Sequence, residues 1–175
     1  MKSYVLSFRV LHWVMALMII FMLTFGFFLE DLPKTMQPLA YMLHKSTGLT
    51  ILLLMVIRFF WIHVSGKPAL PATVANWQKF VARSVQYLLY LFVIVMTMAG
   101  WTMSVAAGRV PQFFGLFPVN FPGIVPNEVL SKELLEVHEI SAYILIALIS
   151  LHVLGALKHH FIDKDNVLRR MWSGE

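Results

Sequence analysis

The chain has 175 residues, of which 59% are hydrophobic and only 13% charged, and it contains no cysteine. A soluble domain carries about a quarter charged residues, so this composition, with a mean hydropathy of +0.74, indicates an integral membrane protein. The lack of cysteine excludes disulfides, iron–sulfur clusters, thiolate-bound metals and covalently attached c-type haem. The sequence pI is about 9.6, but the basic residues flank apolar segments, which indicates membrane topology, and no nucleic-acid partner is expected.

Four apolar segments predict an all-α membrane protein, a four-transmembrane-helix bundle in one domain that covers residues 1–175. The predicted helices span residues of about 8–29, 41–62, 84–107 and 133–161. A bilayer core about 30 Å thick needs about 20 apolar residues, and the second and fourth segments reach this length once they are extended. Ser131 is predicted to cap the fourth helix, with acidic residues in or near its first turn.

The first segment is expected to stay in the protein as a helix rather than to be cleaved as a signal peptide. It follows Lys2 and Arg9, as the apolar part of a signal peptide would. However, the apolar run is long for a signal peptide, and no small-residue cleavage site follows it.

Positive charge predicts the orientation in the membrane. Four helices bring both termini and the middle loop, residues 63–79, to one side. That side holds ten basic residues and the other side holds four, namely Lys34, Lys45, Arg109 and Lys132. Both termini are therefore expected in the cytoplasm. The external loop at residues 108–126 is rich in phenylalanine and proline, which indicates a flap at the membrane surface rather than a floppy linker.

Four histidines lie inside the apolar helices, where ionisable side chains usually have a function. His12 is near the cytoplasmic end of the first helix, and His44 is near the outer end of the second. His138 is near the outer end of the fourth helix, and His152 follows fourteen residues later. Fourteen residues rise about 21 Å and return to nearly the same helix face. His12 should therefore pair with His152, and His44 with His138, one pair on each side of the membrane.

Two such pairs would suit two bis-histidine haems, since each haem iron takes one imidazole from each face. Small residues follow each histidine by four positions and would leave room for a flat macrocycle: Ala16, Gly48, Ala142 and Ala156. Alternatively, the histidines are polar residues at helix ends or interhelical hydrogen-bond partners. A single zinc ion is disfavoured because its ligands must converge on one point.

Other residues have candidate supporting roles. His159 lies about two turns beyond His152 and could donate protons to a quinone, whereas His63 and His160 fit interfacial positions. Arg9 could meet a haem propionate or act as a positive-inside anchor. Arg58 and Lys158 are interpreted as anchors, the five tryptophans mostly as interface residues and the eleven methionines as packing residues.

The sequence resembles the bacterial cytochrome b561 family of small dihaem membrane cytochromes. The matching motifs occur in order along nearly the whole chain: RVLHW at 9–13, LHKSTG at 43–48, LEVHE at 135–139, LHV at 151–153 and HHFIDKDNVLRRM at 159–171. The resemblance implies a four-helix bundle in the bacterial inner membrane. It also implies that His12 and His152 hold the iron of an inner haem b, and that His44 and His138 hold that of an outer one.

The family's better-understood activity is electron transfer from periplasmic superoxide to ubiquinone in the membrane. The resemblance therefore implies a superoxide:quinone oxidoreductase, with ubiquinone as substrate and His159 at the quinone end. One departure is the first external loop, in which Glu30 and Asp31 outnumber Lys34 although an anionic substrate is steered by positive potential.

Two other functions stay open. The chain could be an electron-transfer or anchor subunit that links a partner dehydrogenase or hydrogenase to quinone. Such anchors often carry extra helices, and their absence here favours a standalone enzyme. The third possibility is a haem-free four-helix protein such as a small carrier, which would purify colourless.

Overall fold

The computed structural model describes residues 4–66, 71 and 74–174 and is almost entirely helical. Its elements are α1 (Leu6–Phe27), α2 (Gln37–Ser65), α3 (Asn76–Ala106), β1 (Gln112–Phe113), β2 (Phe117–Pro118), α4 (Glu128–Phe161) and α5 (Val167–Trp172). Within the described residues, α1 to α4 are the four helices long and apolar enough to cross a membrane. The predicted fold class, a four-helix membrane bundle, is confirmed.

The long helices extend past the apolar segments that predicted them. α2 begins at Gln37, with Pro38 in its first turn, and α3 begins at Asn76, eight residues before the predicted start at 84. Polar residues tolerate helical conformation where the helix leaves the membrane, so hydropathy marks the membrane span and not the helix end. The middle connector is consequently shorter than predicted, and its residues 67–70 and 72–73 lie outside the described part of the chain.

The prediction that Ser131 caps the fourth helix is wrong. The cap is Asn127, whose side-chain oxygen accepts a hydrogen bond of 3.0 Å from the Leu130 amide. Asparagine is among the best N-cap residues, and it precedes Ser131 by one helical turn. Ser131 lies inside α4 and donates to the Met103 carbonyl at 3.1 Å, which ties α4 to the end of α3.

An apolar core fills the middle of the bundle. Its buried members come from all four long helices: Met15, Met22, Leu23, Ile51, Met55, Val93, Ala142 and Leu145. Three of the eight are methionines, which agrees with their interpretation as packing residues. Many other large apolar side chains on these helices are exposed, as a lipid-facing surface requires.

The long helices do not all pack side by side. Close backbone contacts join α1 to α2, α2 to α3, and α3 to α4. Among the described residues, neither α1 nor α2 packs closely against α4. The backbone of α4 is therefore further from α1 and α2 than from α3, and this wider gap, which core side chains partly fill, is called the opening below.

The external loop forms an ordered antiparallel hairpin. β1 and β2 pair Gln112 with Pro118 and Phe113 with Phe117. Ser46, which is fully buried, receives a hydrogen bond from the Phe114 amide at 2.8 Å, and its Oγ lies 3.1 Å from the Gln112 carbonyl. These contacts fix the hairpin to the outer end of α2, so the loop is not a floppy linker.

Two tryptophans hold peripheral segments onto the bundle. Trp101 Nε1 donates to the Val119 carbonyl at 3.0 Å, which anchors the strand side of the external loop to α3. Trp13 Nε1 donates to the Met171 carbonyl at 3.1 Å, which anchors α5 under the start of α1. These indoles therefore have protein partners in addition to the interfacial positions that were predicted.

Candidate functional site

One histidine pair lies near the chain termini, between α1 and α4. The ring centroids of His12 and His152 are 6.3 Å apart, and the two ring planes are inclined by 69°. Both residues are half-buried. This end of the bundle, which also carries α5, is called the inner end below. The structure thus brings together the two histidines that the fourteen-residue spacing pairs at this end.

The second pair lies at the opposite end, between α2 and α4. The His44 and His138 ring centroids are 6.2 Å apart, with an interplanar angle of 68°. His138 Nδ1 is 2.8 Å from the Met96 carbonyl on α3. Donation from Nδ1–H to that carbonyl leaves Nε2 as the free nitrogen, which is the usual arrangement for a metal-ligating histidine. This end is called the outer end below.

Glycines on α1 and α3 lie close to the two outer histidine rings. A Cβ atom on residue 100 would lie only 2.9 Å from the His138 ring, so any larger residue there would displace the ring. On α1, a Cβ on Gly26 would lie 3.4 Å from His44 Cε1. The two rings are thereby held from the sides in one orientation.

Both pairs bridge the opening between α4 and the α1–α2 side. Imidazole nitrogens bind first-row metals at about 2 Å, so the centroids of two axial imidazoles on one metal are about 6 Å apart. The observed separations fit this requirement. Open space at Gly48, where an added Cβ would meet nothing within 4 Å, fits a flat ligand beside His44. Within the described part of the chain, the buried His44 Nδ1 also has no hydrogen-bond partner.

The residues present therefore suit two bis-histidine haems. The same geometry disfavours a simple interhelical hydrogen bond between the paired rings, since no such bond joins them among the described contacts. That these four histidines bind iron stays a prediction.

His159 lies at the inner end of α4 with a defined carboxylate partner. Its Nδ1 is 2.7 Å from Asp165 Oδ2 and 3.3 Å from Asp163 Oδ2. The second Asp165 oxygen accepts a hydrogen bond from the Val167 amide at 2.9 Å, so the carboxylate is fixed at both oxygens. Asp165 was not singled out from the sequence, although it lies six residues after His159 in the HHFIDKDNVLRRM motif.

The side chains of His159, Asp163 and Asp165 place potential ligand atoms within 4.8 Å of one another, close enough for a metal ion. Lys158 Nζ already contacts Asp163 Oδ2 at 2.6 Å. This ion pair neutralises Asp163, so the cluster is satisfied by its own hydrogen bonds and ion pairs.

Two arginines at the inner end, Arg9 and Arg58, are half-buried. Arg9 Nη1 lies 3.4 Å from the Trp172 carbonyl, and its buried Nε has no hydrogen-bond partner among the described residues. Arg58 is not an exposed anchor, contrary to the interpretation from the sequence: its Nε donates to the Tyr90 hydroxyl at 2.9 Å, and its guanidinium lies 4.3 Å from the Phe8 ring centroid. Lys158, by contrast, pairs with Asp163 near the end of α4.

Of the two weaker histidines, His63 is exposed, with Nδ1 2.7 Å from the Phe59 carbonyl one turn earlier. His160 has its ring 4.7 Å from that of Phe161. Neither joins a histidine pair, which agrees with their interpretation as residues at helix ends.

The sequence model of the prokaryotic cytochrome b561 family matches residues 3–174. Cytochrome b561 homolog 2 of Escherichia coli (strain K12) is 30% identical over 163 residues, which cover 91% of this chain and 86% of that protein. Cytochrome b561 homolog 1 of the same organism is 30% identical over 128 residues, 73% of this chain and 72% of that protein. The probable superoxide oxidase CybB of Yersinia pestis is 28% identical over 161 residues, 92% of this chain and 90% of that protein. With its four spanning helices and this match over nearly the whole sequence, the chain belongs to the prokaryotic cytochrome b561 family.

Proposed function

We propose that this multi-pass membrane protein is a dihaem cytochrome b that transfers electrons from periplasmic superoxide to ubiquinone, that is, a superoxide oxidase. One observation carries the proposal: two histidine pairs of nearly equal geometry, at 6.3 and 6.2 Å, lie at opposite ends of one bundle. Their α4 members are fourteen residues apart, or about 21 Å along the helix axis. Membership of a b-type cytochrome family agrees with haem in these places.

The chain's own residues would hold and orient the cofactors. His12 and His152 would ligate the inner haem iron, and His44 and His138 the outer one. A bound haem b supplies reversible one-electron chemistry at its iron. The unpaired buried Nε of Arg9 would donate to a propionate of the inner haem.

The reaction balances with two electrons. Two superoxide anions each give up one electron at the outer end and leave as oxygen. One ubiquinone accepts both electrons at the inner end, together with two protons, and becomes ubiquinol. Two redox centres allow the one-electron donor to serve this two-electron acceptor.

His159 would supply protons to the quinone. The hydrogen bond between its Nδ1 and Asp165 orients the ring and leaves Nε2 for the substrate. An Asp-held imidazole is a common device for proton transfer, because the carboxylate fixes the tautomer and stabilises the protonated ring. Asp165 is then a positioning residue for His159.

The proposal also includes the orientation of the chain in the membrane and the identity of the electron donor. Both termini would face the cytoplasm, in the bacterial inner membrane, which puts the His44–His138 end at the periplasm. The name of the Yersinia pestis relative, a probable superoxide oxidase, supports superoxide as the donor.

A second candidate function is an electron-transfer subunit that receives electrons from a partner dehydrogenase or hydrogenase. The observation in its favour is the charge at the outer end, where exposed carboxylates repel an anionic substrate: Glu30, Asp31, Glu133, Glu136 and Glu139. A partner protein with a basic surface would instead be attracted to them.

The test uses the purified full chain. Haem is extracted and counted, a reduced-minus-oxidised spectrum is recorded, and superoxide is added with and without a soluble ubiquinone. We expect two b haems per chain, rapid reduction by superoxide and reoxidation by quinone. Two haems that superoxide does not reduce, while quinol reduces them, would favour the subunit function. A colourless protein would overturn both.

A further inference from the structure

Arg58 occupies the position on α2 that corresponds to an inner histidine. It follows His44 by fourteen residues, the same interval that separates His138 from His152 on α4. This interval returns to nearly the same helix face about 21 Å further along. The face of α2 that presents a histidine at the outer end therefore presents a guanidinium at the inner end.

The Arg58 side chain is held inside the bundle rather than at its surface. It lies seven residues before the end of α2, and its neighbours come from two other helices. Nε donates to the Tyr90 hydroxyl on α3 at 2.9 Å, and the guanidinium lies over the Phe8 ring of α1. Arg58 is also close enough to His12 and His152 to interact electrostatically with both.

Among the described residues, no carboxylate forms an ion pair with Arg58. The salt bridges found in the described part of the chain involve other residues, and the buried Nη1 of Arg58 has no hydrogen-bond partner. The surroundings are partly shielded from water: the Phe8 ring beneath the guanidinium is buried, and burial raises the pKa of Tyr4, whose ring stacks on that of Phe8 at 5.1 Å. An unpaired positive charge in such a medium acts strongly on its neighbours.

The outer pair has a different electrostatic environment. Lys45 lies near His44, but its Nζ is 3.4 Å from the Arg109 carbonyl, and the opposite charge of Glu139 lies near His138. A carboxylate thus accompanies the positive charges at the outer pair, whereas at the inner pair the charge that acts on both histidines is the positive charge of Arg58.

We infer that Arg58 raises the reduction potential of the inner haem and so sets the direction of electron transfer from the outer haem to the inner one. Reduction adds one negative charge to the haem, and a nearby unpaired cation stabilises the reduced form more than the oxidised form. One electron leaves the outer haem and reaches the inner haem, with no other reactant. The inference rests on the dihaem function proposed above, and it adds a role for a residue outside the ligand set.

The test is a potentiometric titration of the purified, haem-loaded full chain, in which the visible spectrum reports how much haem is reduced. Arg58→Gln should lower the inner-haem potential, reducing the equilibrium constant for transfer from outer to inner haem about tenfold, which is about 59 mV for one electron. Combination with His44→Ala identifies which potential belongs to the inner haem. Arg83→Gln is the matched control: it removes one exposed arginine near the same end of α3, and both potentials should stay unchanged.

Arg58→Lys keeps the charge and separates electrostatics from packing. In this variant, the equilibrium constant for transfer from outer to inner haem should stay within about threefold of its original value. If Arg58→Gln loses the inner haem, the test rests on Arg58→Lys. A tenfold fall in the equilibrium constant for transfer from outer to inner haem, despite the retained charge, would overturn the inference. Unchanged potentials in a fully loaded Arg58→Gln protein would also overturn it, without affecting the proposed function. Absence of haem from the unmodified chain would instead refute the proposed function.

Discussion

At the scale of single residues, the two outer histidine rings are oriented by different contacts. His138 has a carbonyl partner for one ring nitrogen, whereas the buried Nδ1 of His44 has none. The Met96 carbonyl therefore fixes the tautomer and direction of His138 before any ligand binds. His44 depends on its ring neighbours for orientation, with Phe25 at 6.4 Å between centroids and Gly26 against its edge.

Replacing His138 should remove the outer haem and spare most of the inner one. In His138→Ala the haem content should fall from two to about one per chain, because the outer iron loses one axial ligand. Pyridine haemochrome quantification of the purified variant measures this. His63→Ala, at an exposed histidine outside both pairs, is the control and should retain both haems. Two haems in the His138 variant would contradict the ligand assignment.

Replacing His159 should slow quinone reduction while both haems stay bound. His159→Gln should lower the rate of haem oxidation by ubiquinone about a hundredfold, since a positioned acid typically contributes at least that much. Asp165→Asn should lower it less, because it disturbs only the orientation of the ring. Stopped-flow oxidation of the pre-reduced protein gives both rates. His160→Gln is the neighbouring control, and equal rates in all three variants would exclude a role for His159.

At the scale of elements, the pairing of α3 with α4 holds the outer site in place. Gly100 lets the two helices approach until the His138 ring touches the α3 backbone. The same approach brings the Met96 carbonyl within hydrogen-bond distance of that ring. A substitution on α3, which contributes no histidine, is therefore expected to disturb the position of His138 on α4.

Gly100→Ala should weaken outer-haem binding. The new Cβ would lie 2.9 Å from the His138 ring, so the ring must move and lose its carbonyl partner. Loss of such a supporting contact typically reduces metal affinity about ten- to hundredfold. Haem titration of the apoprotein measures the change. Gly155→Ala, where a Cβ meets nothing within 4 Å, should bind both haems normally, and equal affinities in the two variants would contradict this role of Gly100.

The helices were predictable from the sequence, but their ends and the hairpin were not. Long apolar runs determine α1 to α4, whereas helix ends depend on single caps such as Asn127. The hairpin strands are two residues long and lack a readable alternation, and their stability comes from Ser46, 66 residues away in sequence from Gln112.

The histidine pairing was predictable because depth along a helix follows directly from residue spacing. The surroundings of Arg58 were not, since a basic residue near a cytoplasmic helix end usually indicates an anchor. Only the packing of α1 and α3 around it reveals its contacts with Phe8 and Tyr90.

At the scale of the whole molecule, the proposed function depends on orientation. The outer pair must face the periplasm if superoxide is the donor, because a charged radical does not cross the apolar core readily. The basic residues near the termini and the middle connector predict this orientation.

Reporter fusions test the orientation. Alkaline phosphatase fused after the C terminus should be inactive, and green fluorescent protein fused there should fluoresce, because both termini are expected in the cytoplasm. Phosphatase fused within residues 108–126, in a chain truncated there, should be active. The reverse pattern would place the His44–His138 pair on the cytoplasmic side and contradict a periplasmic donor.

The opening between α4 and the α1–α2 side has a consequence for biogenesis. Among the described long helices, α3 is the one that packs closely along α4. Across the opening, α4 meets α1 and α2 through the two histidine pairs, the contact between the Phe27 and Tyr143 rings, and core side chains such as Leu145. Bound haems would therefore act as two cross-links that close the bundle, and ligand binding to the folded state stabilises it by mass action. Until haem arrives, the last helix of a newly inserted chain would be held mainly by α3, without the two haem cross-links to α1 and α2. Haem supply would then control how much of the protein survives membrane quality control, in addition to how much of it is active.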